Sequence, residues 1–481
     1  MRNGVSRLCV RLLATASLAL SVCACSPVSS IRNGLFGAPP AEGMPGHVSG
    51  FLGGVVADEP RAAVVGREVL SAGGTAADAA VAMGFALSVT LPSRAGLGGG
   101  GACLAYSPDP SSANRGEPEA IMFMPVAATR TGAATDRPAA VPMMARGLFA
   151  LHARYGRRPF ESLIIPAERM AGFGVQVSRA FIRDLALVAG PLFVDPAARA
   201  IFSHNGTPLA EGDRLTQAEL GSTLAAIRAA GVGDLYQGSL AHRLIEAAPA
   251  VGAAFSIDDL RNALPHSAAP IRVAGGRDTI AFLPPPADGG LAAAVAFQAL
   301  QGNPSQVEQA NARGLAAAAR WRAGGITDLA TLLQADLPAA NLPELPASTT
   351  FLALDRNGNA VACAVSMDNL FGTGRIVPGT GLLLAASPAS VPPPLLTAAI
   401  GWNRPLHAFR AAVGGSGQAS APFAAALALT NTLRTGQPMA ALPPEPGRAN
   451  VIACSRYLPG AEGSCAWATD SRGSGLAVGS E

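Results

Sequence analysis

Residues 347–374 read ASTTFLALDRNGNAVACAVSMDNLFGTG. Thr349 to Asp355 has strand composition, rich in β-branched and aromatic residues. Asn357-Gly358 follows, the dipeptide that a type I′ turn favours because both of its central residues need positive φ. Ala360 to Ser366 reads as the return strand. A two-residue turn at Asn357-Gly358 places Thr349 opposite Ser366, with Ser348 one step beyond.

A hydroxyl at the head of a strand, with a second hydroxyl across the ladder, fits a nucleophile that needs no histidine. Such a nucleophile uses its own α-amino group as base, whose unperturbed pKa of about 7.7–8.0 suits neutral pH. The amine exists only once the chain is cut just before the nucleophile. Ser348 and Thr349 are both open for that role, with the cut at Ala347–Ser348 in the first case. Residues 335–347, rich in Pro and Ala, read as a pliant linker leading to it.

The stretch resembles the nucleophile region of the gamma-glutamyltranspeptidases. Asp355, Gly358, Asn359, Ala360 and Val361 match that family's turn, and Phe371, Gly372 and Gly374 match its F-G-x-G. The resemblance implies that Ser348 stands at the nucleophile, where the family has Thr, and that Ser366 assists it. It also implies an oxyanion loop at Gly414-Gly415, built from backbone N–H groups. Residues 57–106, ADEPRAAVVGREVLSAGGTAADAAVAMGFALSVTLPSRAGLGGGGACLAY, resemble the opening of the family's large subunit. Substrate-contacting positions are changed. Met124 stands where the family has a carboxylate-binding Arg, and Asp368 where it has an Asn. Ser387 and Ser390 replace the groups that hold the substrate amine, and His407 replaces a serine after Arg404-Pro405-Leu406.

Local signals support the same organisation. Asp58-Glu59-Pro60 opens a helix that Gly73-Gly74 stops. Thr75 and Asp78 resemble a capping box, with Asp in place of Glu or Gln, for a second, very apolar helix. Gly96 to Gly101 satisfies G-x-G-x-x-G, but it follows a helix and enters a strand, the reverse of a dinucleotide fingerprint. Its glycines read as close backbone approach.

The chain has 481 residues, 49% hydrophobic and 14% charged, with a net charge of +3. That supports a large core and gives no footing for nucleic acid. Arg2, Arg7 and Arg11 precede an apolar run from Leu12 to Val22, too short to span a bilayer. Val22-Cys23-Ala24-Cys25 fits a lipobox, with Cys25 the lipidated residue and the membrane reached through acyl chains. Cys103 and Cys363 read as buried small hydrophobes. Cys454 and Cys465 flank a turn-rich loop and read as a disulfide. No spacing fits a metal or cofactor site.

These observations predict a signal over 1–25, a tether over 26–50, a large-subunit-like part over 51–347 and a small-subunit-like part over 348–481. Helix pairs and hairpins point to an α+β fold of two stacked antiparallel sheets between helices. The resemblance names it as the four-layer αββα N-terminal-nucleophile fold. It implies an exported, periplasmic, lipid-anchored gamma-glutamyl hydrolase/transferase acting on glutathione-like peptides, with its two fragments as partners. An acylase with a different acyl group and a catalytically degenerate lipoprotein with a binding role are the alternatives.

Overall fold

The hairpin turn differs from a two-residue type I′ turn. Asp355 accepts a backbone bond from Gly358, and only Gly358 (φ +83°) takes the left-handed conformation. This is a type I turn followed by a left-handed residue, the three-residue hairpin geometry. The Asp355 carboxylate fixes it, accepting from the amides of Asn357 and Asn359 and from Asn359 Nδ2. The extra turn residue moves the register by one, so Ser348, not Thr349, lies opposite Ser366.

The computed structural model describes residues 40–129, 137–324, 328–338, 340, 342, 348–438 and 442–479. Cys25, most of the tether and Ala347 lie outside them. In chain order the strands of the two main sheets are β1 (Gly53–Ala57), β2 (Gly100–Tyr106), β3 (Glu119–Phe123), β4 (His266–Ala268), β5 (Ile271–Gly275) and β6 (Asp278–Phe282). Then come β7 (Ser348–Asp355), β8 (Ala360–Ser366), β9 (Thr397–Asn403), β10 (Ala408–Ser416), β11 (Arg448–Leu458), β12 (Cys465–Thr469) and β13 (Leu476–Gly479). The larger sheet runs β4-β3-β2-β8-β7-β1-β13 and the smaller β5-β6-β9-β10-β11-β12. Every pairing in both is antiparallel.

Three apolar clusters define four layers. Val56, Leu104, Met122, Leu352 and Ala362 of the larger sheet pack against Ala398, Ile400, Trp402, Ala412 and Ile452 of the smaller. On the outer face of the larger sheet lie α1 (Pro60–Ser71), α2 (Ala76–Thr90), α3 (Met144–Tyr155) and α4 (Phe160–Phe173), among other helices. Near them stands α5 (Arg179–Leu192), which meets this cluster through Phe181, Leu185 and Leu192. Outside the smaller sheet lie α6 (Gly289–Gly302), α7 (Val307–Arg322) and α8 (Ala421–Thr435).

Local chemistry explains the placement. Glu59 caps α1 by accepting from Ala62 N, with Pro60 in its first turn. Thr75 and Asp78 form the capping box of α2, all of whose residues are buried. The glycine run permits close approach beside the hairpin. A Cβ on Gly99 would stand 2.3 Å from the Ser366 carbonyl, and one on Gly100 2.2 Å from that of Phe123.

Cys103 of β2 and Cys363 of β8 are register partners and form a disulfide. Sequence reasoning placed both correctly in the core, but not with each other, because strand order is not visible in spacing. Cys454 and Cys465 are likewise bonded, between β11 and β12.

Candidate active site

Alternation decides which hydroxyls converge. In β7, Leu352 and Leu354 face the inter-sheet core while Phe351 and Ala353 face the helices. Ser348 and Thr350 therefore share the inter-sheet face, and Thr349 points the other way. In β8, Ala362 and Ala364 face the inter-sheet core, which puts Ser366 on the same face as Ser348. Ser348 is 3% exposed and Ser366 fully buried.

Thr349 is a strut. Its Oγ1 donates to Asp58 Oδ2 at 2.9 Å, and the Thr350 amide donates to the same oxygen at 3.1 Å. Asn450 Nδ2 donates to Asp58 Oδ1 and to Thr350 Oγ1, both at 2.9 Å. Thr469 Oγ1 in turn donates to Asn450 Oδ1. These groups come from after β1 and from β7, β11 and β12, so three strands and a loop hold the head of β7. No local signal marks Asp58 or Asn450 here, because the bonds that link them to each other and to the head of β7 span about 100 to 390 residues of sequence.

Gly414 and Gly415 are not an open oxyanion loop. Both lie inside β10, paired with Ala398 and Thr397 on one side and Asn450 and Ala449 on the other. Two ladders use their backbone. Glycine is needed there for space: a Cβ on Gly414 would meet Thr350 at 2.6 Å, and one on Gly415 the Ala421 carbonyl at 2.1 Å. The backbone that reaches the cleft follows them. Ser416, Gly417 and Gln418 line it, with Gly417 and Gln418 both at positive φ just before α8. Ser416 continues the inter-sheet row of Ala412 and Gly414, one residue past the glycine pair that the resemblance implies.

The cleft has a volume of about 250 Å³ and is lined by Asp58, Arg94, Asp184, Leu370, Ser416 and Gly417 among others. Met124 is half-buried on the inter-sheet face. Ser348, Ser366 and Gly100 are successive register partners, and Met124 lies one step past the Gly101–Phe123 pair. It thus ends the Ser348 row three strands away, roughly 14 Å at the usual strand spacing.

Ser387 and Ser390 form a turn outside the cleft. Ser390 is exposed, and its Oγ donates to the Ser387 carbonyl at 3.0 Å. It borders a separate cavity of about 380 Å³ that shares only Leu370 with the cleft. His407 is displaced altogether. It lies in the exposed β9–β10 turn at φ +47°, beside Gly116, while the other end of β10 meets Thr350. The Arg404-Pro405-Leu406 match is therefore a hairpin turn at the far end of the strand.

Asp368 is the unusual group. Its amide donates to Ser366 Oγ at 2.6 Å, and its backbone is left-handed at φ +61°. It is fully buried, and neither carboxylate oxygen has a hydrogen-bond partner. Burial pushes its pKa up to about 7. Between the ordinary carboxylate value and about 7 the unfolded chain loses a proton that the folded chain keeps. Stability therefore falls as pH rises through that window and stays reduced above it, by on the order of 4 kcal/mol at most. Asp368→Asn, measured in the Ser348→Ala chain by denaturant midpoints at pH 5 and pH 8, is expected to flatten this loss. An equal loss in both chains would contradict it.

Two stacked antiparallel sheets with helices outside both make the four-layer fold of the N-terminal-nucleophile hydrolases. A solved cephalosporin acylase from Bacillus halodurans shares this fold, with a TM-score of 0.73 at 18% identity over 92% of this chain and 98% of that one. The Helicobacter pylori gamma-glutamyltranspeptidase superposes with a TM-score of 0.52 at 23% identity, over 60% of this chain and 90% of that one. The gamma-glutamyltranspeptidase family model matches residues 62–318, and the chain belongs to that family.

A glutathione hydrolase proenzyme from Pseudomonas sp. (strain A14) is 28% identical over 69% of this chain and 66% of its own length. Glutathione hydrolase 3 of Arabidopsis thaliana is 30% identical over 49% of this chain and 38% of its own. Acylase ACY 1 proenzyme of Pseudomonas sp. (strain SE83) is 31% identical over 50% of this chain and 46% of its own. The chain thus spans about two-fifths to two-thirds of the length of these relatives.

Proposed function

We propose that the protein is a self-processing amide hydrolase/transferase whose nucleophile is Ser348. The observation that carries this reading is the Ser348–Ser366 pair on one face of the hairpin, next to a cleft lined by Arg94, which bonds to the Ser348 carbonyl. In processing, Ser348 Oγ attacks the preceding carbonyl and the peptide C–N bond breaks, which frees the α-amine and leaves the upstream chain as an ester on Oγ. Water then hydrolyses that ester, freeing the hydroxyl and an upstream carboxylate. In turnover, that amine takes the Oγ proton as Oγ attacks the substrate carbonyl, then gives it to the departing amine. Water or an acceptor amine releases the acyl group. The Ser416–Gln418 backbone, at the head of α8, supplies donors for the oxyanion in this reading.

The donor in the lead reading is a γ-glutamyl amide of the glutathione type, in keeping with the names of the relatives. The site is exported and lipid-anchored at Cys25. Two disulfides agree with an oxidising compartment. A second reading, an acylase for groups that carry no carboxylate, is favoured by one observation. Met124 and a partnerless Asp368 offer nothing cationic to a carboxylate.

Side-by-side hydrolysis of γ-glutamyl p-nitroanilide and hexanoyl p-nitroanilide separates the two. The lead reading expects at least tenfold higher kcat/KM on the γ-glutamyl compound. The reverse ratio supports the acylase, and an unprocessed chain inert to both supports a binding role.

A further inference from the structure

Ser348 is tied to a charge pair through its own carbonyl. Arg94 Nη1 donates to Ser348 O in a long bond of 3.4 Å. The same guanidinium grips Asp184 twice, Nε to Oδ2 and Nη2 to Oδ1, both at 2.7 Å. Ser93 Oγ donates to Asp184 Oδ2 at 2.7 Å, and the Asp184 side chain is only 2% exposed. The pair bridges the loop after α2 to α5, and both residues line the cleft. Covalent geometry keeps the Ser348 nitrogen under about 4 Å from its own carbonyl oxygen, so Arg94 stands within roughly 8 Å of it.

Other charges face this point. Asp58 bonds to Thr349 and Thr350, and Asp368 follows β8. Arg183, Arg448 and Asp470 line the cleft, but Arg448 is engaged by Glu445, Asp470 by Arg472, and Arg183 by the Arg472 carbonyl. Of these charged groups, Arg94 is the one bonded to Ser348 itself.

Resting on the reading of Ser348 as a freed nucleophile, we propose that Arg94 and Asp184 are positioning residues that hold the head of β7 and set the protonation of its α-amine, Arg94 favouring the base form near neutral pH and Asp184 opposing it. A nearby cation disfavours the ammonium and an anion favours it, so the two partners act with opposite sign.

The chain makes the amine directly readable. All 35 residues counted as Lys+Arg are arginine, so the sequence contains no lysine. After processing, the small fragment carries one amine, that of Ser348. Its rate of acetylation by acetic anhydride against pH, followed by the mass of the reduced small fragment, gives its titration midpoint in the intact protein. Arg94→Gln is expected to raise the midpoint by about one pH unit and Asp184→Asn to lower it by a similar amount. The double variant returns it toward that of the unsubstituted protein. Packing damage alone has no reason to move the two in opposite directions. The signs are read independently, so one variant that fails to fold leaves the other to decide. Shifts in the same direction, or none, overturn this inference alone. A protein with no fragment beginning at Ser348 overturns the underlying reading with it.

Discussion

Without reductant, the processed protein is expected to run on a denaturing gel as one species near the mass of the uncut chain; with reductant, it separates into two fragments. The reason lies in where the cut falls relative to the Cys103–Cys363 bond. Cys103 belongs to β2, before the cut, and Cys363 to β8, after it, with 260 residues between them in sequence. Cys454–Cys465 closes a loop inside the small fragment and links nothing across. One covalent bond therefore holds the fragments together after the backbone is broken. The double variant Cys103→Ala/Cys363→Ala should separate in both lanes. Separation of the unsubstituted protein without reductant, with thiols blocked at lysis, would show that the bond does not form.

The second large effect separates the two hydroxyls that the sequence left open. Ser348→Ala removes the only nucleophile that the hairpin register sets opposite Ser366, so processing stops and amide hydrolysis falls by at least about a thousandfold. Ser348→Thr keeps a hydroxyl in place and should still process. Thr349→Ala loses one hydrogen bond to Asp58, on the order of 1 kcal/mol of stability, and should also process. The measurement is the fraction cut on reducing gels, alongside p-nitroanilide turnover. Processing lost in Thr349→Ala but retained in Ser348→Ala would place the nucleophile one residue later, against the observed register.

Much of the fold was legible because its signals are local. The Glu59 and Thr75 caps, the uniform apolarity of α2 and the crowding at Gly96–Gly101 all act within a few residues. The four layers followed from the family resemblance. What failed was non-local or depended on one residue of turn geometry. Asn357-Gly358 predicts a type I′ turn, yet the Asp355 carboxylate rewards a longer one, and that single residue shifts every pair. His407 was placed by a short tripeptide match that the structure puts in a turn at the far end of β10. Gly414-Gly415 was placed by the family resemblance, and only the two ladders beside β10 show that its backbone is engaged. Cys103 and Cys363 were assigned to the core without a partner because sequence does not reveal which strands are neighbours. Asp58, Asn450 and the Arg94–Asp184 pair share one property: each reaches the head of β7 through tertiary contact, with no local pattern to mark it.

The most direct test of the Ser348 assignment is N-terminal sequencing of the smaller fragment released by reduction. The expected start is Ser-Thr-Thr-Phe-Leu, and the fragment is absent from Ser348→Ala. A start at Thr349, or a protein that yields no internal start at all, would contradict it.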